Sequence, residues 1–146
     1  MRDLPRQLDL DQLAELFEGK TELVRRLAAT ENPLGQAQRI ARELPEAEKL
    51  AALAAHPAIG ARTGLSTRSA AEQGEDADPG VLAELARLND EYEERFGFRF
   101  VVFVNRRPKT EILEVLRNRI RRPRAEELET ALAELVAIAE DRWRRS

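Results

Sequence analysis

Apolar residues recur at helical spacing through most of the chain, and only one short run departs from this pattern. Leucines three and four residues apart predict amphipathic helices over nearly the whole sequence. The run FRFVVFV at 98–104 is the only strand-like stretch. A strand needs a partner for its backbone N–H and C=O groups, and the sequence offers no second strand. The pattern therefore predicts an all-α, single-domain helical bundle of about seven to eight helices, with one extended segment near 98–104.

Helix start and stop signals divide the chain further. Asp9 is a favoured N-cap residue, Gly19 is a stop signal, and Pro45 suits the first position of a helix. Pro57 ends the fourth helix near His56, because proline disfavours the helical conformation in the residue before it. The other predicted helices run from about 21 to 29, 35 to 44, 69 to 73, 78 to 97, 110 to 121 and 125 to 144.

Composition bounds the kind of protein. The 146 residues suit one domain, 1–146, and 42% hydrophobic with 35% charged residues suits a soluble globular protein. A net charge of −3 gives no general reason to bind nucleic acid or an anionic membrane. The absence of cysteine and a single histidine exclude thiolate chemistry and a multi-histidine metal site. No apolar run approaches the ~20 residues that span a bilayer, and the N-terminus lacks a signal-peptide core, so we expect a cytoplasmic protein.

The only histidine, His56, stands at a predicted helix end, directly before Pro57. Histidine titrates near neutral pH, so it can accept or deliver a proton, and the carbonyl-rich end of a helix supports its cationic form. Two interpretations stay open at this point. His56 is either a cation that caps the helix C-terminus, or an acid–base residue whose ring is oriented by an acceptor.

The segment SAAEQ at 69–73 also allows two interpretations. Ser69 and Glu72 have the spacing of a capping box at the start of a helix. Alternatively, Ser69, Glu72 and Gln73 share one helical face. If that face meets His56, Glu72 can fix the ring and Gln73 can hydrogen-bond a polar substrate.

The extended segment and the closing arginines are similarly ambiguous. Segment 98–104 is a buried linker, pairs with a symmetry mate in a homodimer, or turns free amides towards a ligand. Trp143 is a second candidate for a dimer interface. The basic runs at 117–124 and 142–146 lie at predicted helix C-termini, which favours dipole complementation over nucleic-acid binding.

These elements together resemble the OHCU decarboxylase family, where OHCU is 2-oxo-4-hydroxy-4-carboxy-5-ureidoimidazoline. The motifs that carry the resemblance occur in this order: FEG at 17–19, His56-Pro57, S-x-x-E-Q at 69–73, L-N-x-x-Y-x-x-R-F-G-F at 88–98, FVVFV at 100–104, and a closing pattern from Arg119 to Arg142. The similarity covers nearly the whole chain. One departure is HPAIG at 56–60, where the family commonly has HPDLG.

The resemblance implies an all-helical fold and a cofactor-free decarboxylation late in urate breakdown, with (S)-allantoin and CO2 as products. It implies that His56 is the proton donor, that Glu72 orients it, and that Arg142 completes the catalytic set. The implied substrate-binding residues are Pro57, Ser69, Gln73, Phe100, Val101, Val102, Phe103 and Val104. We also expect an exposed cleft at His56 and a raised imidazole pKa, since a carboxylate stabilises the protonated ring.

Three hypotheses follow from the sequence. The first is a carboxy-lyase of the OHCU decarboxylase type, and the second is a relative acting on another ureido or imidazoline acid. Both expect a small-molecule substrate, no metal, no nucleic acid and no membrane. The third is a non-catalytic helical interaction module. His56→Ala or Glu72→Ala abolishes turnover under the first two hypotheses and changes no activity under the third.

Overall fold

The computed structural model describes residues 3–57 and 78–146, and these ranges contain seven α-helices. The helices are α1 (Leu10–Phe17), α2 (Glu22–Ala28), α3 (Pro33–Glu43), α4 (Glu46–Ala54), α5 (Pro79–Phe96), α6 (Lys109–Arg119) and α7 (Arg124–Arg145). No strand occurs within the described ranges, so the all-α prediction is confirmed. The predicted short helix at 69–73 lies outside them.

Local sequence signals determine where the helices begin. Asp9 caps α1 in a capping box, because its side chain accepts from the Gln12 amide at 2.8 Å and its own amide donates to Gln12 Oε1 at 3.0 Å. Helix α3 begins at Pro33, two residues earlier than predicted, since proline suits the first helical turn. A proline also occupies the N-cap position of three helices: Pro45 of α4, Pro108 of α6 and Pro123 of α7.

Helix α7 organises the packing of the described helices. It spans 22 residues and contacts α1, α3 and α4. Helix α2 contacts the same three helices, and α5 packs against α6. The buried core draws on every helix and includes Leu13, Leu23, Leu34, Leu53, Leu85, Leu116 and Leu135. None of the helices in the described ranges is long and apolar enough to cross a membrane.

The segment at 98–104 is neither helical nor paired as a strand in the described structure. Its side chains are buried except for those of Arg99 and Phe103, which are half-buried. Side chains satisfy part of its backbone: Arg119 Nη1 donates to the Val101 carbonyl at 2.7 Å, and the Phe103 amide donates to Glu134 Oε1 at 3.3 Å. The predicted extended segment is therefore confirmed, and this chain itself covers most of its apolar side chains.

Candidate active site

The C-terminal ends of three helices meet around a small group of polar side chains. Glu18 is the C-cap of α1, Ala55 is the C-cap of α4, and Arg142 lies in the last turn of α7. Gly19 follows α1 directly, and a Cβ atom at this position would stand 3.3 Å from the Cβ of Ala55. Glycine therefore permits the close approach of the ends of α1 and α4.

His56 follows the C-cap of α4 and is buried, with 8% of its surface exposed. Its amide donates to the Leu53 carbonyl at 3.2 Å, and its carbonyl accepts from Arg99 Nη1 at 2.5 Å. Arg99 also donates to the Ala54 carbonyl at 3.3 Å. The Arg99 guanidinium, which belongs to the extended segment, thus bonds terminal carbonyls of α4 that lack helical partners. These backbone contacts hold the imidazole at the helix end.

Arg142 is buried although it carries a charge, and its side chain is only 1% exposed. Its Nη1 atom donates to the Leu16 carbonyl at 3.1 Å and lies 3.0 Å from Glu18 Oε1. The Leu16 carbonyl belongs to the last turn of α1, where the helix dipole favours a cation. A helix end and a carboxylate together therefore compensate the buried guanidinium.

The electrostatics of the site keep the imidazole neutral. The pKa of His56 is lowered to about 4, first by burial and then by the positive charge of Arg142. The Glu18 carboxylate raises the pKa of His56, and the Arg99 guanidinium lowers it. The expectation of a raised pKa is therefore wrong, and His56 is buried rather than exposed. Glu72, the carboxylate expected to raise the pKa, lies outside the described residues. The interpretation of His56 as a cation that caps α4 is also wrong. Its ring is neutral, and the cation that bonds the terminal carbonyls of α4 is Arg99.

The imidazole keeps one unused hydrogen-bonding position. Within residues 3–57 and 78–146, no group bonds the buried Nδ1 atom of His56. Buried polar atoms in folded proteins are nearly always hydrogen-bonded. This nitrogen is therefore suited to bond a ligand or a group contributed by the rest of the chain.

A second buried polar cluster, formed by Tyr92, Arg119 and Glu127, holds the extended segment. The Tyr92 hydroxyl donates to Glu127 Oε1 at 2.6 Å, and Arg119 Nε donates to the same oxygen at 2.8 Å. The Arg119 guanidinium also bonds the Val101 carbonyl and lies 4.6 Å from the centre of the Phe100 ring. Burial and the bond to Glu127 raise the pKa of Tyr92. The Tyr92–Arg119–Glu127 cluster thus links the segment to α5, α6 and α7.

The structure brings only some of the predicted site residues together. His56 and Arg142 share one electrostatic environment, and Pro57 is half-buried beside His56. The predicted residues Ser69, Glu72 and Gln73 lie outside the described residues. Phe100, Val101, Val102 and Val104 are buried and Phe103 is half-buried. Glu134 bonds the Phe103 amide and lies on α7, as Arg142 does. The two residues are about two turns apart, roughly 12 Å along the helix axis.

The sequence did not single out three groups that lie at the candidate site or hold the extended segment. Glu18 lies in the FEG stretch, but a glutamate at a helix end gave no signal of a buried ion pair. Arg99 stands within the strand-like run and was not singled out. The Tyr92–Arg119–Glu127 cluster lies within matched motifs, yet no spacing rule connects residues so far apart in sequence.

The fold and the site define an all-helical protein with a buried His–Arg–Glu group at converging helix ends. A model of the OHCU decarboxylase family matches residues 2–144. The chain belongs to this family.

Two proteins named 2-oxo-4-hydroxy-4-carboxy-5-ureidoimidazoline decarboxylase are similar to part of the chain. The protein from Haloferax volcanii is 35% identical over 97 residues, which cover 64% of this chain and 58% of that protein. The protein from Halalkalicoccus jeotgali is 33% identical over 96 residues, which cover 63% of this chain and 54% of that protein. The chain therefore spans little more than half the length of these curated relatives.

A solved structure has the same fold. It is a crystal structure of OHCU decarboxylase in the presence of (S)-allantoin, and it superimposes with a TM-score of 0.73 at 26% sequence identity. The match covers 90% of this chain and 94% of that chain. The helical arrangement is therefore shared over nearly the whole length of both chains.

Proposed function

We propose that the chain is a carboxy-lyase that converts OHCU to (S)-allantoin and CO2 in urate breakdown, without a cofactor. The observation that carries this proposal is a buried imidazole on which the charge of a buried guanidinium acts, in a chain of the OHCU decarboxylase family. Such a pair can hold an acidic substrate and exchange a proton with it.

The charges around His56 favour an anionic ligand. Of the charged groups described as acting on the imidazole, Arg142 and Arg99 are cations and Glu18 is an anion. A site with this balance attracts a carboxylate, which is the group that the reaction removes. Arg142 offers a planar set of donors that matches a carboxylate or an enolate oxygen.

Decarboxylation breaks the bond between a ring carbon and the carboxylate carbon. The electron pair stays on the substrate and is delocalised over the neighbouring C=N bond, while CO2 leaves. A proton must then reach the neighbouring ring carbon, which bears the ureido group, from one face. The ring hydroxyl becomes the carbonyl of allantoin, and its proton goes to the ring nitrogen that took up the negative charge. Preorganised donors aimed at the developing negative charge typically contribute about 3–4 kcal/mol each.

His56 is the proposed proton donor, and substrate binding supplies the condition for that role. The ring is neutral in this structure because burial and Arg142 disfavour its charge. A substrate carboxylate beside the imidazole raises its pKa, so the ring takes up a proton with the substrate and later delivers it. Glu72, which the family resemblance assigns to orienting the ring, would support the same protonated form.

The remaining contacts are proposed from the resemblance. Pro57, Ser69 and Gln73 would border the substrate, with Gln73 bonding a ureido or ring group. Within the described residues, the amides of Phe100, Val101, Val102 and Val104 have no hydrogen-bond acceptor, which supports a ligand-binding role for them. The Phe103 amide is already bonded to Glu134, so Phe103 would contribute its half-buried side chain.

The test is to add freshly prepared OHCU to the purified protein and measure CO2 release against the spontaneous rate. We expect release well above that rate, and we expect His56→Gln to lose it while keeping the helical circular dichroism spectrum. Other ureido and imidazoline acids are measured in parallel. Release from one of these acids alone would support a related lyase instead. No acceleration with any acid would leave the non-catalytic helical module.

A further inference from the structure

Glu18 adopts a backbone conformation that few residues with a Cβ atom adopt. Its φ is 69° and its ψ is 21°, which is the left-handed region that favours glycine. The sequence places Gly19 next to it, but Glu18 is the residue at positive φ. Strained residues of this kind concentrate at functional sites, where the side chain is needed at that position.

The side chain of Glu18 reaches the buried part of the site. Its carboxylate lies 3.0 Å from Arg142 Nη1, and the two side chains are 13% and 1% exposed. The same guanidinium nitrogen donates to the Leu16 carbonyl. The end of α1 therefore supplies both of these contacts, and the left-handed turn directs the carboxylate towards α7.

Glu18 also acts on His56. The charged groups described as acting on the imidazole come from three parts of the chain: Glu18 from α1, Arg142 from α7 and Arg99 from the extended segment. Glu18 is the only one of these three groups that stabilises the protonated ring. Its negative charge thus opposes the repulsion between Arg142 and a protonated His56.

We propose that Glu18 is a positioning residue of this site, whose carboxylate holds in place the Arg142 guanidinium that acts on the His56 imidazole. This inference rests on the proposed decarboxylase function and adds to it a residue from α1. The competing explanation is that the ion pair only stabilises the end of α1. The two explanations differ in what happens to His56 when the charge of Glu18 is removed.

The single histidine allows a direct measurement that does not need turnover. The imidazole NMR signals of the folded protein come from His56 alone, because the chain has no other histidine. We expect Glu18→Gln to lower the pKa of His56 below its wild-type value. The matched control is Glu15→Gln, an exposed position on the same helix, which removes the same charge and should leave the titration unchanged.

Kinetics with OHCU provide the second measurement. We expect Glu18→Gln to lower kcat/KM by roughly 100-fold, as for the loss of one preorganised electrostatic group. The falling limb of the kcat–pH profile should move to lower pH, since a donor with a lower pKa loses its proton earlier. Glu18→Asp keeps the charge and tolerates the left-handed turn better, so it should retain more activity than Glu18→Gln.

The outcomes separate this inference from the proposed function. Failure of the wild-type protein to convert OHCU refutes the proposed function, whereas a His56 titration moved only by Glu18→Gln still supports the coupling of the three groups. The inference is overturned if the wild-type protein is active but Glu18→Gln and Glu15→Gln have the same pKa of His56 and the same kcat/KM. If Glu18→Gln does not fold, Glu18→Asp is compared with Glu15→Asp instead. The shorter aspartate side chain in Glu18→Asp draws the carboxylate away from Arg142, so kcat/KM should be lower than in Glu15→Asp, and equal kcat/KM values overturn the inference.

Discussion

The low pKa of His56 makes the stability of the folded chain depend on pH. In an unfolded chain the pKa of histidine is near 6.5, whereas the pKa of the folded-state ring is about 4. Between these values the unfolded state binds a proton that the folded state does not bind. The free energy of unfolding therefore falls as the pH drops from 6.5 towards 4, by at most about 3 kcal/mol, and this contribution is fully present above pH 6.5.

We expect the His56→Gln variant to lack this part of the pH dependence. The carboxylates are common to both proteins, so the difference between their unfolding free energies isolates the histidine. Urea unfolding of both proteins at about pH 7 and about pH 5 measures it. Parallel pH dependences in the two proteins would contradict the neutral, buried state of His56.

Arg142 should resist even a substitution that keeps its charge. A lysine offers one ammonium group, which cannot reproduce the planar contacts to the Leu16 carbonyl and to Glu18. We expect Arg142→Lys to lower kcat/KM for OHCU by roughly 10²–10³-fold. Arg145→Lys is the matched control, because Arg145 is exposed on the same helix and pairs only with Asp141 among the contacts described. Similar kcat/KM values in the two variants would contradict a role of Arg142 in the site.

At this scale the sequence singled out candidate residues but did not predict their burial or charge state. His56 was singled out because it is the only histidine, whereas arginine is abundant and only the family resemblance singled out Arg142. The burial of the imidazole was not predictable, since it depends on how α4 meets α1 and α7 in space. Glu18 was missed because the stop signal of α1 was assigned to Gly19, while the left-handed residue is the glutamate.

The Tyr92–Arg119–Glu127 cluster should dominate the stability of the elements around the extended segment. Glu127 is fully buried and accepts hydrogen bonds from both Tyr92 and Arg119. Glu127→Gln leaves the buried Arg119 charge uncompensated, which typically costs about 3–5 kcal/mol. Glu126→Gln removes the same charge from the neighbouring exposed position and should cost under about 1 kcal/mol. Denaturant unfolding of both variants gives the comparison, and equal losses would refute the role of the cluster.

Individual elements were largely predictable, and their partners were not. Helical apolar spacing and capping residues located the described helices, with α1 beginning after Asp9 as expected. The segment at 98–104 was correctly predicted as extended. Its backbone partners, Arg119 and Glu134, lie on α6 and α7, and such pairings arise only when the helices are assembled.

At the scale of the whole molecule, the candidate site lies where the ends of α1, α4 and α7 converge. Terminal carbonyls of α1 and α4 accept from Arg142 and Arg99, so the helix ends help to compensate two cations. An all-α bundle follows from the periodicity of the apolar residues. Periodicity does not predict that these particular helix ends converge, because it defines which face of a helix is buried but not which helices lie next to it.

The central claim is that the site around His56 delivers a proton to one face of the substrate. Its most direct test is the enantiomer composition of the allantoin first formed from OHCU, followed by circular dichroism with and without the protein. We expect the wild-type protein to yield (S)-allantoin in large excess, and His56→Gln to yield the racemic product of spontaneous decay. Racemic allantoin from the wild-type protein, at a rate equal to that of the spontaneous reaction, would contradict the claim.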